Sequence, residues 1–331
     1  MTSYISIIKE ASIVINKGFR VAPGEVVTVI SDGERMHEAQ ALAGAAAAAG
    51  GYVTLLDVTQ LVLNGLLSPG IPEPPKNVRS TVANSDVIIV KTNIDYAHRF
   101  AHTEAVRQAV DNGAKIASVE EGLGTWGLTE NDIELVHQRT KKLAKELEGA
   151  DKIHITSRDG SDFTVSIKGR IPLLVTPIRE KGIMMGPMPL WGEVAYAAVE
   201  DSANGTIVCN GVMNFVAPFG VKNPIKIKAQ NGRAVEITGY EEAAMLMKIL
   251  ESADRDANVV AEFSLGTGHL VKFGTLSEKG KYGTIHIALG DNHRAYPGGK
   301  NVSKYHIDAT IRFPTVTVDG KVLIKDGEWV F

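Results

Sequence analysis

The sequence predicts an α/β protein: an N-terminal Rossmann-like parallel α/β domain over residues 1–155, followed by a C-terminal, mostly antiparallel β domain of α+β type over residues 156–331. Three observations carry this. The chain has 331 residues, enough for two ordinary domains. Its first 150 residues alternate short, nearly continuous apolar runs with helical stretches. From about residue 151 the pattern becomes strict apolar–polar alternation, punctuated by Asn-Gly and Asp-Gly.

In the first half, "EVVTVIS" (25–31), "YVTLLDV" (52–58), "DVIIVKT" (86–92) and "KIASVE" (115–120) are β-branched and apolar on both faces. Such runs suit strands buried between two layers of helices. Helical patterns fill the intervals at 34–48, 74–84, 102–112 and 129–149, and the Ala-rich stretch 39–51 reads as a tightly packed helix. Strand–helix alternation predicts a parallel sheet. After the first strand comes "ISDGERMHEAQ", which lacks the G-x-G-x-x-G of a dinucleotide-binding turn, and "EGLGTW" (121–126) has the wrong spacing. The expectation is a Rossmann-like scaffold without a nucleotide.

In the second half, "KIHITS", "DFTVSIKG", "GTIVCNG", "IKIKAQNGRAVEITG", "TIHIALG", "IDATIRF" and "TVTVDGKVLIKDGEWV" alternate with period two. Asn231-Gly232 and Asp319-Gly320 stand where hairpin turns require positive φ. One helix interrupts the strands near 240–252.

Composition narrows the function. Hydrophobic residues make up 44% and charged residues 22%, with a net charge of −3, so neither disorder nor a nucleic-acid partner is expected. A lone Cys209 in a strand-like context reads as a small buried hydrophobe in a reducing compartment. The N-terminal stretch has polar and charged residues throughout and no apolar run of about 18 residues occurs, which predicts a cytoplasmic protein without membrane association.

The chemistry gathers in the second half. In "HIDATIRF", His306, Asp308, Thr310 and Arg312 share one strand face, opposite Ile307, Ala309, Ile311 and Phe313. "TIHIAL" places His286 opposite Ile285, Ile287 and Leu289. "WGEVAYAAV" and "NVVAEFSLG" each carry one acid, Glu193 and Glu262, among apolar neighbours. A carboxylate there is costly unless paired, hydrogen-bonded or bound to metal. Two imidazoles and three carboxylates suit Zn, Co, Mn or Fe, and five ligands are enough for two ions per chain.

"WGEV", "AEFSLGTG", "SEKGKYGTIHIALGDN", "GGKNVSKYHID" and "VDGKVLIKDGEW" resemble, in order over roughly residues 155–331, the aminopeptidase T family of metallo-aminopeptidases. The resemblance implies a two-metal centre on Glu193, Glu262, His286, His306 and Asp308, a protease cleaving N-terminal residues from peptides, and a homodimer. One departure stands out: seven residues after His286 the family has a tyrosine, whereas this chain has His293, with Tyr296 close but out of register. His293 is either a replacement ligand or proton donor, or a plain loop residue. "GSDFTVSIKG", "EDSANGTIVCNG" and "GGKNVSKYHID" are also similar to the 2,5-dihydroxypyridine 5,6-dioxygenase family, whose iron sits on two histidines and an aspartate. His306 and Asp308 match, but the remaining histidine falls on Glu262. The substitution favours the hydrolase.

For hydrolysis, Glu278 in "SEKGKYG" is the expected general base, and Lys300 in the Gly-Gly-Lys loop the expected contact to a substrate carboxylate or oxyanion. The expected partner is a small peptide or small-molecule substrate.

Overall fold

The computed structural model describes residues 3–67, 73–101, 103–183, 185–293 and 295–331. The chain is mixed α/β, with one five-stranded parallel sheet and two antiparallel ones. It divides into two compact units: Met1–His137 with Thr176–Leu190, and Gln138–Val175 with Trp191–Phe331. The chain therefore passes between units three times, where the sequence suggests a single boundary at 155/156.

In the first unit, strands β1 (Val26–Ser31), β2 (Tyr52–Asp57), β3 (Val87–Lys91) and β4 (Lys115–Val119) fall on the four apolar runs. They pair in parallel in the order β2-β1-β3-β4. Around them run α1 (Tyr4–Ile13), α2 (Met36–Ala48), α3 (Thr59–Leu67), α4 (Lys76–Ala83), α5 (Ile94–Ala101) and α6 (Glu104–Asp111). The pattern did not signal α1, α3 or α5. Residue 102, the first of the helix expected at 102–112, lies outside the described residues. Thr103 caps α6 by accepting the Val106 N–H, as its side chain is suited to do. Helix α7 (Glu130–Glu146) leads into the second unit.

That unit continues with β5 (Lys152–Thr156), β6 (Asp162–Ser166) and β7 (Leu173–Val175). The chain then returns to the first unit for β8 (Gly186–Met188), which adds to β4 in parallel. A three-residue strand offers too short a pattern to read from sequence. The remaining elements all belong to the second unit: β9 (Glu193–Ala197), β10 (Asn204–Cys209), β11 (Ile225–Gln230), β12 (Arg233–Thr238), α8 (Glu241–Ser252), β13 (Val260–Gly266), β14 (Ile285–Gly290), β15 (His306–Ile311), β16 (Thr315–Val318), β17 (Lys321–Lys325) and β18 (Glu328–Trp329). They form an eight-stranded sheet, β12-β11-β10-β6-β5-β16-β17-β18, and a five-stranded one, β15-β14-β13-β9-β7. Asn231 and Asp319 adopt positive φ (48° and 47°) at the β11–β12 and β16–β17 turns, each followed by a positive-φ glycine.

The five-stranded sheet positions the site. Its register sets Glu262 opposite Ala197, Ser264 opposite His286, Ala288 opposite Asp308 and Gly290 opposite His306. One face therefore carries Glu193, Glu262, Ser264, His286, His306 and Asp308. The other carries Val194, Tyr196, Phe263, Leu265, Ile285, Ile287, Leu289, Ile307, Ala309 and Ile311, all buried in a core shared with Ile153, Phe163, Ile207 and Val316 of the larger sheet. Each such fully buried aliphatic side chain contributes about 1.5–3 kcal/mol, which fixes the register and with it the polar face. Ala195, Ala197 and Ala288 are the intervening residues on the polar face, so room is left between the ligating side chains. A register shift between Val260 and Glu262 makes Ala261 an extra residue. This bulge lets Val260 join the core while Glu262, two residues on, turns to the opposite face.

Candidate metal centre

The five residues from four separate strands converge. His306 Nε2 lies 2.9 Å from Glu262 Oε2 and 3.0 Å from Asp308 Oδ1. His286 Nε2 lies 3.2 Å from Glu262 Oε1 and 3.9 Å from Glu193 Oε2. Glu262 is fully buried, and ligand atoms of Glu262, His286 and Asp308 all lie within 4.8 Å of one another. Ser264 Oγ donates to Glu193 Oε2 at 3.3 Å.

The surroundings aim the ligands. His306 Nδ1 is 2.7 Å from the Asp291 carbonyl, and His286 Nδ1 is 3.2 Å from the Lys279 carbonyl. A carbonyl can only accept, so each Nδ1 bears the proton and donates it. In a neutral ring each Nε2 then turns its lone pair into the cluster, as a metal-binding imidazole does. Asn214 accepts the Asp308 N–H at Oδ1 (2.6 Å) and donates through Nδ2 to Asp308 Oδ2 (3.2 Å) and the His306 carbonyl (3.1 Å). It reaches them because the chain around it bridges onto edge strand β15 at Met213–Ala309.

Electrostatics divides the acids. Burial pushes the Glu193 carboxyl up to about 7, with His286 opposing the rise and Glu262 adding to it. Burial acts on Glu262 too, but His286 and His306 outweigh it and hold that carboxylate near 2. Asp308 is held well below the usual range by Lys279 and His306 against the pull of burial. Both imidazoles are raised, burial opposing and the neighbouring carboxylates prevailing. The cluster thus crowds three carboxylates and two imidazoles together where water is excluded, so each charge there depends on a partner within the cluster.

The residues fit a divalent ion. Glu262 Oε1 and Asp308 Oδ1 are buried without an aligned hydrogen bond, although imidazole nitrogens stand 3.2 and 3.0 Å away. Orphaned carboxylate oxygens beside imidazole lone pairs form a borderline-to-hard donor set.

The other expected site residues lie elsewhere. Glu278 is fully buried, gripped by Arg312 Nε and Nη2 at 2.5 and 2.7 Å, and accepts the Gly274 N–H at 2.7 Å. A carboxylate so bound braces the Gly274–Gly280 turn, its charge already matched by a guanidinium, whereas the expected general base would stand free beside the cluster. His293 is exposed, and its backbone N–H donates to the Asn301 carbonyl. The ring at the centre belongs instead to Tyr296, stacked on His306 at 5.4 Å with its hydroxyl 3.2 Å from His306 Nε2. The Lys300 side chain is exposed, and its N–H donates to Glu200 Oε1 at 2.8 Å.

The Tyr296 loop returns to the site because two asparagines clamp its ends. Asn301 N–H donates to Asn292 Oδ1 (2.8 Å), Asn292 N–H to the Asn301 carbonyl (3.0 Å), and Asn292 Nδ2 to the carbonyl of the bulged Ala261 (2.9 Å). A Cβ on Gly299 would lie 2.1 Å from the Asn292 carbonyl oxygen, so this clamp requires glycine. The motif "GDN…GGKN" is therefore structural.

Lys279 was not singled out by the sequence. Its ammonium pairs with Asp308 Oδ2 and lies 5.3 Å from the centre of the Trp191 ring. Burial lowers an ammonium's pKa, but Asp308, Glu193 and Glu262 outweigh it and raise that of Lys279.

Among the described residues no helix is long and apolar enough to cross a membrane. Two solved structures share the fold. The 2,5-dihydroxypyridine dioxygenase of Pseudomonas putida superposes with a TM-score of 0.78 at 18% identity, covering 100% of this chain and 98% of that one. AmpT of Thermus thermophilus superposes with a TM-score of 0.70 at 17% identity, covering 99% of each. No curated protein matches the sequence. The family model for 2,5-dihydroxypyridine 5,6-dioxygenase (NicX) matches residues 17–331, and the chain belongs to that family.

Proposed function

We propose that this protein is a metal-dependent hydrolase that cleaves an amide bond in a small substrate, the N-terminal peptide bond of a short peptide being the best fit. The observation that carries this reading is Glu262. It supplies a fully buried carboxylate between two imidazoles, at the position where the resemblance to the dioxygenase family expects the second iron-binding histidine. With Glu193, His286, His306 and Asp308 it makes the ligand set that the resemblance to aminopeptidase T implies.

In this reading Glu262, His286, His306 and Asp308 hold a divalent ion, with Glu193 beside them. When bound, such an ion polarises a carbonyl and lowers the pKa of water. The chain's own groups do the rest. Asn214 and the carbonyls of Asp291 and Lys279 fix the orientation of the ligands before substrate arrives. The Tyr296 hydroxyl and the Lys279 ammonium are hydrogen-bond donors at the centre, suited to a carbonyl oxygen that gains negative charge. Burial of the cluster strengthens these interactions by excluding water.

The family match favours a second reading, iron-dependent ring opening of a hydroxylated pyridine. One experiment separates the two. Metal-stripped protein is reloaded anaerobically with Zn(II), Co(II), Mn(II) or Fe(II), then offered short peptides, or 2,5-dihydroxypyridine with oxygen. Oxygen-independent release of the N-terminal amino acid supports the hydrolase; oxygen uptake with loss of the pyridine and no peptide cleavage overturns it.

A further inference from the structure

We propose that two copies of this chain associate through the open edge of the parallel sheet, β2 pairing antiparallel with β2 of a second copy. The sequence leads to an expected homodimer but names no surface for it, and the inference stands apart from the metal cluster.

Covering is the first ground. The run "YVTLLDV" is apolar on both faces, with Val53 and Leu55 on one and Tyr52 and Leu56 on the other. Val27–Ser31 of β1 and all of β3, which have the same character, are buried. β2 is exposed or half-buried throughout, and Tyr52 is 71% exposed. Among the described residues β2 pairs with β1 alone. Its sequence is that of an inner strand, and its place is at the edge.

The other sheet edges supply the second ground, because each is blunted. β8 and β7 have three residues each, β8 with Pro187 at its centre, and β18 has two. β15 is bridged by Met213 at Ala309. β12 carries Arg233 and Glu236 and pairs through a register shift. Short strands, proline, charge and bulges are the usual guards against edge-to-edge pairing. β2 has six residues and none of these guards before Asp57, whose carboxylate is held by Thr59. A second β2 is therefore the fitting partner in another copy, and that pairing closes on itself instead of growing into a chain.

Register is the third ground. The Tyr52 N–H donates to the Glu25 carbonyl and the Val58 N–H to the Ser31 carbonyl, both at 2.8 Å, so the even-numbered residues bond inward to β1. Val53, Leu55 and Asp57 then turn their N–H and C=O groups outward. A two-fold axis at Leu55 sets Leu55 against Leu55, and Val53 against Asp57 of the second copy. All three outward residues of each strand are satisfied, giving about six new hydrogen bonds. The two Asp57 carboxylates stay about 13 Å apart, so like charges do not meet.

The test is sedimentation equilibrium of the full chain with cross-linking. The wild type is expected to be a dimer. Val53→Pro removes an N–H that β1 does not use and leaves the facing carbonyl unpaired in both halves of the interface. Its dimer dissociation constant is expected to rise at least about 100-fold with circular dichroism unchanged. Leu55→Cys, with a counterpart Cα about 5.5 Å away, is expected to form a disulfide-linked dimer on mild oxidation. Tyr52→Cys, about 20 Å from its counterpart, is not. Cys209 is buried and takes no part. A monomeric wild type, a dimer unweakened in folded Val53→Pro, or a Leu55→Cys protein that stays unlinked would each overturn the inference. If Val53→Pro does not fold, the cross-link decides.

Discussion

His306 and Glu262, 44 residues apart in the chain, meet at 2.9 Å between Nε2 and Oε2, while Glu262 Oε1 lies 3.2 Å from His286. One fully buried carboxylate thus spans both imidazoles. Glu262→Gln keeps the shape and removes the charge. Metal affinity is expected to fall by at least the 10- to 100-fold that loss of an outer partner costs. Without metal, the variant is expected to melt earlier, because breaking a buried ion pair costs about 3–5 kcal/mol. Calorimetric metal titration and thermal unfolding check both outcomes; unchanged affinity would remove Glu262 from the ligand set.

Half-buried Arg312 and fully buried Glu278 form a second ion pair, which is assigned to structure rather than to chemistry. Arg312→Met leaves Glu278 uncompensated and is expected to destabilise by about 3–5 kcal/mol. The double variant Arg312→Met, Glu278→Gln is expected to recover much of that loss and to keep the wild-type metal count. Denaturant unfolding of the single and double variants measures the coupling. If Glu278→Gln folds normally yet abolishes turnover, the structural assignment fails.

Tyr296→Phe preserves the ring stacked on His306 and deletes the hydroxyl. If that hydroxyl donates to a developing oxyanion, kcat is expected to fall about 100-fold. Metal content should stay the same, and His293→Ala should leave turnover unchanged. Steady-state kinetics with elemental analysis of the three proteins gives the answer.

Gly280→Ala drives a Cβ into the Trp191 ring. The expected consequence is a shifted Leu276–Gly280 turn and weaker alignment of Lys279 and His286, read as lower metal affinity with the secondary structure retained. Circular dichroism alongside a metal titration separates this local effect from unfolding.

Chelation should destabilise the protein in a concentration-dependent way. Free metal at about 100 times its Kd is expected to contribute about 2.7 kcal/mol to stability. Melting temperature should rise with the logarithm of added metal. A flat response would mean that the metal does not distinguish folded from unfolded chain.

Much of this arrangement is legible in the amino-acid order. The alternation in "HIDATIRF" and "TIHIALG" placed His306, Asp308 and His286 on a face opposite a row of apolar residues, and the structure has Ile285, Ile287, Leu289, Ile307, Ala309 and Ile311 in the core, while Phe313, past the end of β15 at a positive φ, is exposed. Apolar runs located β1, β3 and β4 because strands covered on both sides tolerate little else, whereas β2, at the edge of the sheet, matches its run in position but is exposed or half-buried throughout. The misses have physical causes. Glu278 and Lys279 are neighbours, but successive residues of a 3-10 turn point about a third of a turn apart, so only Lys279 reaches Asp308. Tyr296 was discounted by counting along the chain, whereas the Asn292–Asn301 clamp, a contact between residues nine apart, sets where the loop lies. Asn214 carried no signal, because nothing local to "GVMNFVAP" says that it will reach across to β15.

Anomalous diffraction at the metal edge, from crystals soaked in Zn(II) or Co(II), tests the central claim most directly. The account predicts a peak at about 2.0–2.2 Å from ligand atoms of Glu262, His286, His306 and Asp308. A fully loaded crystal whose anomalous density lies away from these side chains would contradict it.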